Sequence, residues 1–484
     1  MSESIDTEGF QPQPTTNMSP EPLDMSQANR QDSEIRVLTL NCWGLKFVSK
    51  DRLLRIEAIA DEIAASHYDI VGLQELWVQS DFDLVKSKVA HRLRYSKYFL
   101  SGALGAGLAI FSRYPIISTT LHPYSLCGSP LDVAGGDWFV GKAVVSAVID
   151  HPLLHEVEIF NTHLYAKGGE SPTKPQMAHR LVGTFEFARR VNISASLGRH
   201  VLAVGDFNTV SKSPAMQFIY TITGLKDAWG STHGSWVLPQ ADGVHSPHHA
   251  VTDRGVTADS PLNSYSKGKV SYCRYLVSAT FLTPIVVKVF DEHARKWLGK
   301  RLDYILFRPP SSKHARYTHE LKCRESAVTF THHVPGTDIS FSDHFGVSAT
   351  FECVPVYRPS GSNGHRPITP PRGTSYSPST RAEVLQYAIS TMGTAYNAAR
   401  GDTHQKLVYF VGLVLLLIAL IVASAWMPEP AANPLLILLA ALITWGGTTL
   451  LYAGFLGGGW ETRALMRTIE ELEMMLRVEE RRAY

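Results

Sequence analysis

The sequence predicts an α/β domain with a sheet-on-sheet core flanked by helices, followed by a two-helix apolar hairpin. Short β-rich runs alternate loosely with helix-like stretches between residues 35 and 353, and many runs have no partner helix. This pattern favours packed sheets over a parallel doubly wound sheet. A segment rich in Pro, Ser and Gly follows at 354–380, and two long uncharged apolar spans come after it.

The composition limits the class of protein. Hydrophobic residues make up 44% of the 484 residues and charged residues 19%, which permits a sizeable core and excludes a wholly disordered chain. The net charge is only +2, so we predict no nucleic-acid partner. Five scattered cysteines show no CxxC or Cys/His zinc spacing. We therefore expect neither a disulfide framework nor a structural zinc site.

The first elements follow from local patterns. Residues 1–34 are polar and rich in Ser, Gln and Pro, which predicts a disordered tail without a signal-peptide core. A globular domain is predicted at 35–353. Its first helix, at 52–65, has apolar residues at helical spacing, namely Leu53, Ile56, Ile59 and Ile63. Another helix is predicted at 174–195, among strand-like runs at 35–41, 157–164, 201–208 and 302–307.

The C-terminal part predicts a membrane anchor. The Pro-rich linker at 354–380 leads to a juxtamembrane helix at 381–406. Two transmembrane helices are then predicted at 407–427 and 434–456, because each apolar span can cross a hydrocarbon core of about 30 Å at about 1.5 Å per residue. A buried core helix is the alternative, but core helices seldom run this long without a charge.

The charges around the hairpin predict its orientation. Arg400 and Lys406 precede the first span, Arg463 and Arg467 follow the second, and the turn has no Lys or Arg. The positive-inside rule then places both termini and the globular domain in the cytosol. We expect an integral protein of the endoplasmic reticulum, with the mitochondrial outer membrane as the alternative.

A charged helix is predicted at the C-terminus, at 461–484. Its apolar residues form one stripe: Leu465, Ile469, Leu472 and Leu476. A membrane-surface helix and a short dimer seam both fit this stripe. We therefore predict that an oligomer, if one forms, uses this helix.

Polar residues cluster where strand-like runs end, as expected when a rigid sheet holds a catalytic site at its rim. Asn41 and Glu75 offer the oxygen ligands that Mg²⁺ prefers. Asp206 and Asn208 lie two residues apart, so on an extended segment they point to one face. Each short motif, taken alone, is more often a turn or a satisfied polar group.

Three further residues complete this set. His163 and His344 carry imidazoles that can move protons near neutral pH. Asp303 could fix a histidine tautomer, as the orienting acid of a triad does.

Six motifs occur in one order, each beside a β-rich run: LNCWG, QE, NTHL, GDFN, RLDYI and SDHFG. Together they resemble the endonuclease/exonuclease/phosphatase superfamily, which includes nucleases, inositol-polyphosphate phosphatases and neutral sphingomyelinases. The resemblance covers about residues 35–353. It implies a four-layer α/β sandwich of the DNase I type and Mg²⁺-assisted cleavage of a phosphoester.

The segment GGDWFVGKA at 135–143 points to one branch. It has P-loop spacing, but Ala143 stands where a P-loop NTPase needs Ser or Thr. It instead resembles the P-loop-like segment of neutral sphingomyelinases and of the fungal inositol-phosphosphingolipid phospholipase C. There Asp137 and Lys142 match residues tied to activity and lipid activation. An ordinary Gly-rich loop is the alternative. Residues 255–266 are similar to that family's substrate-side loop, and the membrane hairpin also occurs there.

The resemblance implies a membrane-anchored, Mg²⁺-dependent phospholipase C that releases ceramide from phosphosphingolipids, either sphingomyelin or inositol phosphoceramide. In this interpretation Glu75 and Asn41 bind Mg²⁺, and Asp343 contacts a second metal or positions its neighbour. His344 is the base, oriented by Asp303, although the base and leaving-group roles could be exchanged with His163.

The remaining residues would serve the substrate. Asp206 and Asn208 position water and phosphate, while Lys142 and Asp137 contact the substrate phosphate or an activating anionic phospholipid. Three alternatives stay open: a membrane-tethered nuclease, a phosphoinositide phosphatase of the same fold, and an inactive membrane scaffold.

Overall fold

The computed structural model describes residues 32–103, 105–132, 136–234, 246–266, 292–311, 317–356, 376–426 and 430–483. Almost all of the predicted tail and most of the predicted linker lie outside these residues. Within them, the strands are β1 (Glu34–Asn41), β2 (Ile70–Gln74), β3 (Tyr95–Phe99), β4 (Leu108–Ser112), β5 (Ile116–Pro123), β6 (Ala143–His151), β7 (His155–His163), β8 (His200–Asp206), β9 (Lys226–Asp227), β10 (Asp303–Arg308), β11 (His319–Thr329) and β12 (Gly346–Pro355).

The α-helices of the same residues are α1 (Arg52–Ala65), α2 (Gln79–Val89), α3 (Lys174–Ser196), α4 (Pro214–Thr223), α5 (Ala228–His233), α6 (Pro247–Arg254), α7 (Glu292–Trp297), α8 (Pro378–Ser424), α9 (Asn433–Leu451) and α10 (Gly459–Ala483). A π-helical segment, Tyr452–Gly458, joins α9 to α10. The predicted helices at 52–65 and 174–195 are confirmed almost to the residue.

Two six-stranded sheets form the centre of the domain. The first has the order β11-β12-β1-β2-β4-β3 and the second β5-β6-β7-β8-β10-β9. Apolar side chains of both sheets pack together between them, including Val37 and Ile70 from the first and Ile159, Val204 and Ile305 from the second. Helices α1 and α2 cover the first sheet, and α3 and α4 cover the second. This arrangement confirms the four-layer α/β sandwich.

Strand direction collects the polar residues at one edge of the sandwich. β1 runs parallel to β2, and β7 runs parallel to β8, so all four end at this edge. β10 is antiparallel to β8, and Asp303 lies directly opposite Asp206. His163 also lies opposite Asp206. We call this the site edge; the strands β6, β10 and β12 begin there.

The first helix has a different inner face from the one predicted. Ile56, Ile59 and Ile63 are buried, but Leu53 is 67% exposed and Arg55 is fully buried. The prediction for Leu53 was therefore wrong. Arg55 occupies the inner position because four backbone carbonyl groups accept its hydrogen bonds, so its charge is satisfied within the fold.

The C-terminal helices form the predicted hairpin. α8 is one continuous helix of 47 residues, which joins the predicted juxtamembrane and transmembrane helices without a break. Two helices are long and apolar enough to cross a membrane. Their large side chains are exposed, among them Leu415 at 62% and Trp445 at 72%. The hairpin is thus not covered by the domain, in contrast to a buried core helix.

The last helix packs inside the chain. Leu465 and Leu472 of α10 are fully buried, and Ile469 is nearly so. They pack with α3 and with the N-terminal half of α8. The predicted stripe therefore lies in an intramolecular contact and is not available as a membrane-surface face or dimer seam. The N-terminal half of α8 packs on the domain and presents an apolar face to α10. This face is the partner of the α10 stripe, and sequence alone could not identify it.

Candidate active site

One amide links two carboxylates at the site edge. The Asn41 Nδ2 group donates to Glu75 Oε1 and to Asp206 Oδ2, each at 3.1 Å. The backbone N–H of Trp43 fixes the other side of the amide by donating to Asn41 Oδ1. Glu75 has a left-handed backbone, with φ of 54°. The turn after β2 thereby brings its carboxylate beside Asn41, as the sequence predicted.

A histidine and an aspartate form the second part of the site. His344 Nδ1 lies 2.9 Å from Asp303 Oδ2. Ligand atoms of Asp206, Asp303 and His344 all lie within 4.8 Å of one another. With Nδ1 bound to the carboxylate, the Nε2 atom of His344 is the one left to exchange a proton. The predicted orienting role of Asp303 thus has the required geometry.

The third part is a short chain of polar groups from the P-loop-like segment. The buried Lys142 ammonium lies 3.0 Å from Asp137 Oδ1 and 3.1 Å from His163 Nε2, and it donates to the Leu164 carbonyl at 2.9 Å. His163 Nε2 also lies 3.5 Å from Asp206 Oδ2. Lys142 is therefore directed inward at His163 and the carboxylates, which is unlike the lysine of a nucleotide-binding loop.

The two histidines have opposite electrostatic environments. Burial lowers the pKa of His163 well below its usual value, and the Lys142 ammonium adds to this effect. Burial alone would also lower the pKa of His344, but the neighbouring carboxylates, led by Asp303, outweigh it and raise that pKa well above its usual value. The site therefore holds one neutral imidazole and one that readily carries a proton.

The remaining predicted residues lie around this centre. The Asn208 backbone N–H donates to Asp206 Oδ1 at 2.8 Å, and its side chain donates to the Leu164 carbonyl at 3.0 Å. Asp343 is near enough to raise the pKa of Glu75, after burial as the main cause. All ten predicted site residues thus lie at the site edge, but their individual roles stay predictions.

The acidic residues fit a divalent cation. Glu75 and Asp206 share one amide donor and so face a common point. Burial raises the pKa of both groups, with Asp343 adding to the shift of Glu75 and Asp303 to that of Asp206. Buried carboxylates that raise one another's pKa in this way provide an environment in which a hard cation is stabilising.

Sequence reasoning missed the residues that hold the site loops. Arg55 donates to the carbonyl groups of Cys42 and Phe341 at 2.9 and 3.0 Å, and Ser342 Oγ donates to the Asn41 carbonyl at 2.6 Å. These bonds tie the loop before β12 to the end of β1. Apolar periodicity gives no signal for Arg55, because a charged side chain is expected on the outer face of a helix.

Residues 255–266 lie behind the catalytic pair. The Thr257 carbonyl accepts from the Phe345 N–H at 2.7 Å, and Ala258 pairs with both Lys300 and His344 as isolated bridges. Ala258 is 4% exposed. Within the described residues this segment supports the backbone of His344, which differs from the substrate-side position suggested by resemblance.

Glycine is required at two motif positions. A Cβ atom at Gly205 would lie 2.1 Å from the Thr162 carbonyl oxygen, and its φ is +146°. A Cβ atom at Gly44 would lie 2.4 Å from the Glu75 carbonyl oxygen. These close approaches explain the glycines of GDFN and LNCWG, because any side chain there would displace Asp206 or Glu75.

Comparison with known proteins agrees with this geometry. The model described as the Endonuclease/Exonuclease/phosphatase family matches residues 38–344. An inositol phosphosphingolipids phospholipase C of Schizosaccharomyces pombe is 32% identical over 457 residues, covering 91% of this chain and 94% of the relative. The Saccharomyces cerevisiae protein of the same name is 29% identical, covering 92% and 90%.

A human relative, sphingomyelin phosphodiesterase 2, is 27% identical over 432 residues, covering 86% of each chain. The chain belongs to the endonuclease/exonuclease/phosphatase family, in its phosphodiesterase branch of neutral sphingomyelinases and inositol phosphosphingolipid phospholipases C, as the sequence predicted.

Proposed function

We propose that the protein is a membrane-anchored, Mg²⁺-dependent phospholipase C that hydrolyses phosphosphingolipids to ceramide and a phosphorylated head group. One observation carries the proposal: His344, held by Asp303 at 2.9 Å, lies against Asp206 in the carboxylate cluster. A proton-transferring residue thus adjoins a site suited to metal and phosphate. The names of the relatives indicate the lipid class.

The metal would be held by Glu75 and Asn41, next to Asp206. Asn41 would have to turn its amide oxygen to the ion in place of the NH₂ group that faces the two carboxylates here. Bound there, Mg²⁺ would neutralise the phosphodiester and the charge that develops on it. Asp206, held by the Asn208 N–H, positions the attacking water and keeps it near the phosphorus atom. Asp343 influences Glu75 through its charge and is proposed as a positioning residue.

His344 would take the proton from the attacking water through Nε2. Asp303 holds Nδ1 and stabilises the imidazolium ion that forms. The raised pKa of His344 makes the unprotonated form scarcer at neutral pH. We therefore expect the activity to increase with pH above the ordinary histidine range, as this group loses its proton.

Lys142 would supply positive charge at the phosphate. Its ammonium group lies between Asp137 and His163, so it keeps His163 neutral and holds it against the carboxylate cluster. When substrate enters, a shift of this ammonium toward a phosphate oxygen would let His163 Nε2 take up a proton from solvent and donate it to the leaving ceramide oxygen. An anionic phospholipid that competes for Asp137–Lys142 would alter activity at the same point.

The hairpin would keep the enzyme beside a substrate that stays in the bilayer, which raises the effective concentration of both. The charges at its ends favour a cytosolic domain. Protease added to intact microsomes should then digest the domain and α10 and spare the hairpin. Protection of the domain until detergent is added would reverse the proposed orientation.

The proposal is tested by measuring ceramide release by the purified full chain from sphingomyelin and from inositol phosphoceramide in parallel. Mg²⁺-dependent release from either lipid, lost after chelation and restored by Mg²⁺, is expected. A single-stranded DNA and a phosphoinositide serve as counter-substrates. Hydrolysis of one of these without ceramide release from either sphingolipid would refute the proposal.

A further inference from the structure

The loop between β1 and α1 exposes apolar side chains without a partner in the described part of the chain. Phe47 is 93% exposed and Val48 65% exposed, while Leu53 and Leu54 in the first turn of α1 are 67% and 47% exposed. We call these four residues the rim patch. A fully exposed phenylalanine beside three more large apolar residues marks an interaction surface.

The rim patch lies at the site edge, directly after the strand that ends in Asn41. Other loops at the same edge also expose large apolar residues: Leu100, Leu131, Trp138 and Leu262. Lys46 and Lys50 flank Phe47 and are exposed, and the Lys46 ammonium lies 5.5 Å from the Phe47 ring centre. Asp51, the nearby acidic group, accepts a hydrogen bond from Tyr265.

The hairpin shows which way this edge faces. The ion pairs His179–Glu461 and Arg189–Glu471 run along α3 and α10, so both helices start near the site edge and proceed away from it. The Trp460 indole donates to the Ser125 carbonyl at 2.7 Å. Gly457 lies against Pro130, next to exposed Leu131. The apolar spans therefore leave the domain beside the site edge.

We propose that the rim patch is a second membrane contact, which inserts Phe47 and Val48 into the interfacial region of the bilayer that holds the hairpin. Apolar residues flanked by lysines match a membrane surface that contains anionic phospholipid. A protein partner could bind anywhere on the domain, independently of the hairpin. The bilayer that holds the hairpin, in contrast, lies next to the site edge. The contact holds the opening of the site at the level of lipid head groups.

The test uses the full chain in vesicles of phosphatidylcholine and an anionic phospholipid. A cysteine replaces Phe47, Val48 or Leu197 and carries an environment-sensitive fluorophore. Leu197 is the matched control, because it is 64% exposed at the opposite edge. Cys42, Cys127 and Cys353 are buried. Cys273 and Cys323 are replaced by Ser in every protein, and the chain without an added cysteine gives the background. Lipids with a nitroxide on the acyl chain serve as quenchers.

We expect emission at shorter wavelength and strong quenching at positions 47 and 48, and neither at 197. Labels at 47 and 48 that behave like the label at 197 would overturn the proposal, and two patch positions guard against one misfolded variant. This readout needs no turnover, so it stands even if the proposed reaction fails. Where ceramide release is measurable, F47S should lower it about tenfold at limiting vesicle concentration, whereas L197S should not.

Discussion

The two histidines of the site come from different sheets, since His163 ends β7 and His344 precedes β12. Their pKa values are shifted in opposite directions. His163 adjoins an ammonium group, and its pKa is lowered, while His344 adjoins carboxylates, and its pKa is raised. Burial and charged neighbours together thus give the same side chain two different protonation properties. In the proposed mechanism Lys142 and Asp303 determine which histidine takes which role, and substitutions at these positions test that assignment.

The largest effect is expected at His344. His344→Ala removes the proton acceptor, so kcat for ceramide release should fall by about 10²–10⁴-fold while the thermal unfolding temperature stays near that of the unsubstituted protein. His332→Ala is the matched control, because His332 is exposed and its ion-pair partner is the exposed Glu62. A His344→Ala enzyme with activity like that of His332→Ala would remove His344 from the mechanism.

Lys142→Ala should come next. It removes the positive charge beside His163 and the phosphate, and a loss of about 10²-fold in activity is expected from the loss of one buried cationic donor. The response to anionic phospholipid should diminish as well. Lys167→Ala, which removes a half-exposed lysine paired with Asp132, should change neither property. Equal effects of the two substitutions would indicate a general charge effect.

The packing of α10 on the domain is expected to affect the stability of the protein. Leu472→Ala empties a fully buried position and should lower the free energy of unfolding by about 2–5 kcal/mol. Met474→Ala, at a position that is 57% exposed, should cost under about 0.5 kcal/mol. Denaturant unfolding in detergent measures both. Equal stability of the two variants would mean that α10 does not depend on this packing.

The smallest effect concerns pH. The carboxylate of Asp303 raises the pKa of His344, so Asp303→Asn should lower that pKa. The rising limb of the kcat/KM profile should then move to lower pH, by about one unit. Measurement of the profile for both proteins between pH 5 and 10 tests this. A limb that stays in place or moves to higher pH would assign it to another group.

The polar residues at the ends of strand-like runs predicted which residues form the site, but they did not predict the pKa shifts of its histidines. Four site residues lie at the ends of buried strands: Asn41, Glu75, Asp206 and Asp303. Once the sandwich fold is predicted, these residues can be expected to meet at one edge. The direct contact of Lys142 with His163 could not be predicted from sequence, because it depends on how the loop before β6 folds over the end of β7. The opposite pKa shifts arise from such contacts and therefore had no signal in sequence.

The apolar patterns had a similar limit. Periodicity identified the helix at 52–65, but it could not show that Arg55 would take the inner position and leave Leu53 outside. The stripe of α10 predicted an apolar contact correctly and its partner incorrectly. In each case the sequence shows that a face is apolar, while the tertiary structure decides what covers it.

The central claim is that water attacks phosphorus and the ceramide oxygen leaves. Hydrolysis by the full chain in ¹⁸O-labelled water, with mass spectrometry of both products, tests it most directly. If water attacks phosphorus, ceramide is released without label and the phosphorylated head group carries one ¹⁸O atom. Labelled ceramide, or ceramide phosphate together with a free head group, would contradict it.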